Sequence, residues 1–321
     1  MEWIQKIDFA VLDWIQQHIK GDFLDFLMPL ITALGNGGIF FGLLAVFLLG
    51  LCSGLVQSFG IVPSLGLTEP TLRYYQELFC SDELWRSLGY SLYLSVVSSV
   101  LAVIGGVLLC SALVLSGKAK GRKKMVGMLQ LPIMLPHVVV ALFAMNLLSQ
   151  SGLLARLLYA LGIISGQESF PDLLFDQAGV GIILSYLWKE IPFVAFFVVT
   201  LMAAVNENLG EAARNLGASP IQAFFRVTLP LCMPAIKNAF LIVLAFSFGA
   251  YELPFLLGPT TPKALPVAAY LEYISPDLKN RPRAMAMNSI VLFISLGMAW
   301  LYYCLFQQKM IRLQGGKSDE E

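Results

Sequence analysis

The feature that most constrains this chain is a series of apolar runs, each long enough to cross a bilayer as a helix. A hydrocarbon core about 30 Å thick needs about 20 helical residues. Six runs meet that length, at 39–60, 90–116, 126–149, 179–205, 236–257 and 285–306. Only 13% of the 321 residues are charged, whereas a soluble domain carries about a quarter. The sequence therefore predicts an all-α membrane protein of six transmembrane helices. The first run starts near residue 39 with no small-residue cleavage pattern after it, so it is expected to remain as an anchor.

Formal net charge is zero, which offers nucleic acid no electrostatic footprint. Charge placement is more informative than its total. The link Gly117-Lys118-Ala119-Lys120-Gly121-Arg122-Lys123-Lys124 has five cations and no acid, and such loops stay on the cytoplasmic side. Counting outward puts both termini and the 206–235 loop there as well. The loops at 61–89 and 150–178 then face outside, with Glu69, Glu77, Asp82, Glu83, Glu168, Asp172 and Asp176 against Arg73, Arg86 and Arg156. The 258–284 segment runs against this pattern, being external yet holding Lys263, Lys279, Arg281 and Arg283. Cys52, Cys80, Cys110, Cys232 and Cys304 lack the spacing of a metal site or disulfide framework.

The polar 206–235 segment is longer than a connection between spans requires. It reads as two short helices. The first spans 206–216 and ends at Gly217, a residue suited to a left-handed helix terminus. The second opens with Ser219 as N-cap, Pro220 at the first helical position and Gln222 completing a capping box, and is expected to stop before Pro230. Ile221, Phe224 and Phe225 fall on one helical face, an apolar ridge suited to a groove on another protein.

Glu211-Ala212-Ala213, then Gly217 after three residues, Val227 after nine more, and Leu229-Pro230 resemble the EAA loop of ABC importer permeases, with Val in place of the usual Ile. The resemblance covers about residues 41–321, including Tyr90-Ser91-Leu92, Leu131-Pro132, Leu135-Pro136 and Leu187-Trp188-Lys189-Glu190-Ile191-Pro192-Phe193. Tyr251-Glu252-Leu253-Pro254-Phe255, with Leu265-Pro266-Val267 further on, is similar to the polyamine, iron and thiamine branch. The family implies a multi-pass subunit of a prokaryotic plasma membrane. Its partners would be a cytoplasmic ABC ATPase dimer, a second permease subunit, the same or related, and an extracytoplasmic solute-binding protein, all in membrane lipid. On that resemblance Glu211, Ala212, Ala213, Gly217, Leu229 and Pro230 shape the coupling loop, and Ile221, Phe224 and Phe225 enter the ATPase groove. The sequence contains no GxxxxGK[ST], so no cofactor is expected on this chain; ATP and Mg would sit on the ATPase.

Lys189 and Glu190 lie within the fourth run, where an ionised group costs about 2.5–3.5 kcal/mol on the insertion scale. They are solute-path candidates or a self-neutralising pair. Glu252 is a third path candidate, or a hydrogen-bonding group at a kink. His137 reads as a packing residue. Ser95, Ser98, Ser99, Ala102, Gly105 and Gly106 read as close-packing positions between helices.

Residues 1–40 form a leader of another character, with apolar and charged residues interleaved over 1–20 as in a helix lying in the membrane interface. The stretch 23–38 resembles the opening of type 2 phosphatidic acid phosphatases, but that family's Lys-x6-Arg-Pro, Pro-Ser-Gly-His and Ser-Arg-x5-His motifs are absent. A membrane phosphatase and a non-transporting membrane scaffold are the alternatives to a transport subunit.

Overall fold

The computed structural model describes residues 39–115 and 119–304. The leader, apart from its last two residues, and the chain beyond 304 lie outside the described residues. Within them all regular structure is helical, and six stretches are long and apolar enough to span a bilayer: Phe41–Ser58, Asp82–Leu115, His137–Ala160, Val180–Asn215, Pro220–Gly249 and Leu278–Tyr302.

The chain divides into two compact units, residues 1–56 and 57–321. Helix α1 (Ile39–Ser58) lies almost wholly in the first and is apolar on every face, the composition of a span that meets no water on any side. In the second unit α2 (Arg73–Phe79) precedes α3 (Asp82–Leu115). The Ser81 hydroxyl accepts from the Leu84 amide at 3.2 Å, and Asp82 and Glu83 occupy the first turn, where acids favour a helix start. At 1.5 Å per residue, its 34 residues extend about 51 Å, well past the hydrocarbon.

Two faces of α3 have different partners. Ser91, Ser95, Ser98, Ser99, Ala102 and Gly106 are buried, and α3 packs most extensively on α7 (Val180–Val205). A Cβ at Gly106 would lie 2.6 Å from Val194 Cβ and 3.1 Å from the Ile191 carbonyl, so this glycine is required by helix approach, whereas one at Gly105 would meet only the movable end of Ile191 at 2.8 Å. Ser98 and Ser99 donate back to the Leu94 and Ser95 carbonyls at 2.5 Å, which lets hydroxyls sit in this seam without outside partners. Val96, Val100, Ile104 and Leu108 form an exposed apolar stripe, four residues apart, which is stable only in contact with lipid or another apolar helix.

Two spans expected to be continuous are broken. The run at 126–149 divides into α4 (Ala119–Met134) and α5 (His137–Leu148), because Pro136 cannot donate to a helical ladder and drives Leu135 out of the helical region. Helix α4 also begins within the basic link, taking in Lys120, Arg122, Lys123 and Lys124. After α6 (Leu153–Ala160) and α7, the chain reaches α10 (Leu229–Gly249) through two short helices, α8 (Glu211–Asn215) and α9 (Pro220–Ala223). The run at 236–257 breaks at Ala250, which is extended, and restarts as α11 (Glu252–Leu257). Pro254 then falls in a first turn, where its missing amide has no helical partner to lose. Helix α12 (Leu265–Tyr273) and α13 (Arg281–Tyr302) complete the unit.

Two of the four cations that disturb the charge pattern of 258–284, Arg281 and Arg283, have local partners. Arg283 lies 3.4 Å from Glu272 and 3.8 Å from Glu83, and the Arg281 guanidinium sits 5.3 Å from the Tyr273 ring centroid.

Candidate functional site

Two places concentrate polar chemistry, a helical hairpin at 206–228 and an ion cluster among the broken spans. The hairpin is an extension of the spans themselves. Helix α7 passes through a π-turn (Asn206–Gly210) into α8, and α9 passes through a second π-turn (Phe224–Thr228) into α10. The expected stop before Pro230 is therefore absent. Pro230 stands in the first turn of α10, and the wide turn before it absorbs the pairing mismatch that an imino residue creates. The π-turns pack on each other, with Thr228 donating to Asn206 at 3.5 Å. Gly210 permits that approach, since a Cβ there would lie 2.9 Å from Asn206 Oδ1.

The tip is closed by two local motifs. Gly217 has φ +94°; its amide donates to the Arg214 carbonyl at 2.9 Å and the Ala218 amide to the Ala213 carbonyl at 3.1 Å, the paired bonds of a Schellman terminus. Ser219 and Gln222 then form the expected capping box, with bonds of 3.2 and 3.0 Å. Glu211, Ala212 and Pro230 are exposed, and Ala213 and Leu229 are half-buried.

The apolar ridge differs from the expected one. Ile221 and Phe225 are 64% and 60% exposed, but Phe224 is 3% exposed and packs in the core with Met202, Ala203, Cys232 and Ile236. Helical spacing groups 221, 224 and 225 on one side; the π-turn beginning at Phe224 rotates that side chain inward. Leu216, nearly fully exposed beside Gly217, takes its place at the tip and went unremarked in the sequence, although a leucine before a helix-ending glycine is a local signal.

The ion cluster brings two of the three path candidates, Lys189 and Glu252, together with the histidine that was read as packing. Lys189 and Glu190 are buried on α7. Lys189 Nζ donates to the Leu135 carbonyl at 2.5 Å, a group released by the α4–α5 break, and lies 3.4 Å from His137 Nδ1. His137 Nδ1 is in turn 3.8 Å from Glu252 Oε2. Glu190 points away from this string and accepts from Ser247 of α10 at 2.5 Å. Glu190 Oε2 and the Tyr186 hydroxyl, one turn earlier on α7, are buried without hydrogen-bond partners. Ser247 and Tyr186 were not singled out from the sequence. Tyr186 stands four residues before Glu190, a helical-face relation that sequence spacing contains; Ser247 shows no such signal.

Broken spans, titratable groups beside the breaks and a capped hairpin between two spans are the architecture of a polytopic helical membrane transport subunit. The family model for the inner membrane component of binding-protein-dependent transport systems matches residues 102–310, and the chain belongs to that family. It is 26% identical over 221 residues to the putrescine transport system permease protein PotI of Escherichia coli (strain K12), covering 68% of this chain and 72% of that protein. It is 26% identical over 188 residues to the molybdenum transport system permease protein ModB of Haemophilus influenzae, covering 56% of this chain and 77% of that one. A chain of the bacterial alginate ABC transporter, crystallised with its alginate-bound periplasmic protein, superposes with a TM-score of 0.69 at 21% identity, over 92% of this chain and 96% of that one. The protein is an inner-membrane permease subunit of an ABC importer.

Proposed function

We propose that this permease moves solute by alternating access and that residues 206–228 couple it to a separate cytoplasmic ABC ATPase dimer. The observation that carries this reading is the hairpin tip. A Schellman terminus and a capping box hold a tight turn beyond the spans, and Leu216, Ile221 and Phe225 stand exposed around it. Apolar side chains held out on a rigid, solvated projection favour a partner groove over water. Glu211, Ala212, Ala213, Gly217, Leu229 and Pro230 shape that projection, and Phe224 anchors it from inside. Movement of the docked tip passes directly into α7 and α10, because both are helically continuous with it.

In this reading the hairpin and both termini face the cytoplasm, and Arg283 of the basic outer segment is paired with Glu272 and Glu83. ATP and Mg bind to the ATPase and none to this chain. A second permease subunit, the same or related, completes the path lined by Lys189, Glu190 and Glu252, and an extracytoplasmic binding protein delivers the solute.

The test is a detergent pull-down of tagged wild type beside Gly217→Asp, with ATPase activity and partner identity read in the eluate. Recovery of an ABC ATPase by wild type and its loss in the variant is the expected result. Equal recovery by both removes the coupling role of the hairpin. Absence of any ATPase from folded wild type would favour the scaffold alternative.

A further inference from the structure

We propose that the groove between α5 and α7 holds one phospholipid, with an acyl chain along the groove and the headgroup phosphate on Arg156. The groove has a volume of about 610 Å³ and runs from Leu135 at the α4–α5 break to Leu153 at the start of α6, with Phe143, Leu147 and Trp188 along it. Asn146 and Ser185 in its lining have their donors committed to their own helices. Asn146 Nδ2 donates to the Leu142 carbonyl at 2.8 Å and Ser185 Oγ to the Gly181 carbonyl at 2.7 Å. The groove therefore offers an occupant a nearly continuous apolar wall, which suits hydrocarbon and not a polar solute.

Length and width match a single chain. The 12 residues of α5 rise about 18 Å, close to the roughly 15 Å of one hydrocarbon leaflet. Spread over that length, the volume has a cross-section of about 34 Å², about 6–7 Å across, whereas a helix with its side chains needs about 10–12 Å. A second protein helix is too wide for it. Leu153, Leu157 and Leu161, four residues apart on α6 and its C-cap, are exposed, as on the apolar side of a helix lying at a membrane interface. Tyr159 is exposed there as well, a residue type that sits at headgroup level. Arg156 supplies the charge. Its Nε donates to the Ser151 carbonyl at 2.9 Å, which folds the guanidinium back over the first turn of α6, where Leu153 enters the groove. Among the described residues no carboxylate lies within ion-pairing distance of Arg156. An exposed, unneutralised guanidinium at the end of an apolar slot matches a phosphate carried on a hydrocarbon chain. Because the Leu135 carbonyl holds Lys189, a chain seated against Leu135 keeps hydrocarbon, in place of water, beside the helix break that supports the ion cluster.

The experiment places the transporter, purified with its partner subunits, in lipid nanodiscs doped with phosphatidylglycerol that carries a diazirine midway along one acyl chain. After irradiation the labelled peptides are mapped by mass spectrometry, and co-purification of the partners reports that each variant is folded. Saturable labelling of 135–153 and 184–188 is expected, above that of the exposed stripe of Val96, Val100, Ile104 and Leu108 on α3. Leu147→Trp, which fills the groove, should reduce that labelling about tenfold or more. Arg156→Gln should reduce it about fivefold, the worth of one cation beside an anionic lipid, and Arg156→Lys should retain most of it. Equal labelling of the groove and the α3 stripe that responds to neither Leu147→Trp nor Arg156→Gln reports bulk lipid contact and overturns the proposal. So does an unlabelled groove whose residues cross-link instead to a second permease subunit. Labelling lost in Leu147→Trp but unchanged in Arg156→Gln overturns the assignment of the phosphate.

Discussion

Gly217 is the position where the coupling geometry is most economically tested, because its backbone and its surroundings make opposite demands. Its φ of +94° is one that L side chains avoid, yet a Cβ built there meets nothing within 4 Å. Replacing it with Ala therefore introduces no clash and should cost only the left-handed conformation, about 1–2 kcal/mol. That corresponds to a factor of about 5–30 in the balance between the closed tip and alternatives lacking the Gly217 and Ala218 amide bonds. If the ATPase binds only the closed tip, its affinity for Gly217→Ala should fall by up to that factor. Asn tolerates the left-handed region better than Ala, so Gly217→Asn should lose less despite its larger side chain. The assay is titration of purified ATPase onto each variant in nanodiscs, with thermal unfolding followed in parallel. Equal affinities for the three proteins would refute the reasoning, and so would an order in which Asn is worse than Ala, because that order reports bulk instead of backbone conformation.

The adjacent phenylalanines should separate by role. Phe224→Ala empties a core position and should destabilise the protein by about 3–5 kcal/mol, seen as a lowered Tm in detergent, whereas Phe225→Ala should leave Tm nearly unchanged and weaken ATPase recovery. Helix α3 offers a matched glycine pair. Gly106→Val pushes a side chain against Val194, where a Cβ would already lie 2.6 Å from its neighbour, and should cost about 1–3 kcal/mol of stability by overpacking; Gly89→Ala on the same helix meets open space and should be tolerated. Tm values for the two substitutions that fall together would remove the α3–α7 seam as the reason for Gly106.

The number of spans and the hairpin tip were legible in the chain because both are local properties. Bilayer length is a property of one apolar run, and the Gly217 terminus and the Ser219–Gln222 box each close within five residues through bonds that only those residue types make at that spacing. The breaks at 135–136 and 250 were not read from the sequence, although Pro136 and Pro254 stand at or near them. Whether each would break a helix or merely start one depended on the backbone partners available there, and Pro132, Pro192 and Pro234 remain inside helices. Tertiary structure alone decided the ion cluster. Lys189 meets Leu135 and His137 across separations of 54 and 52 residues, and Glu190 meets Ser247 across 57, contacts that no local periodicity encodes. The inward turn of Phe224 belongs to the same category, since its face was set by a π-turn packed against a second one 18 residues earlier in the chain. Short-range chemistry chose the elements; burial of one element against another chose which side chains meet, because that choice follows from the packing of the spans and not from the order of residues within any one of them.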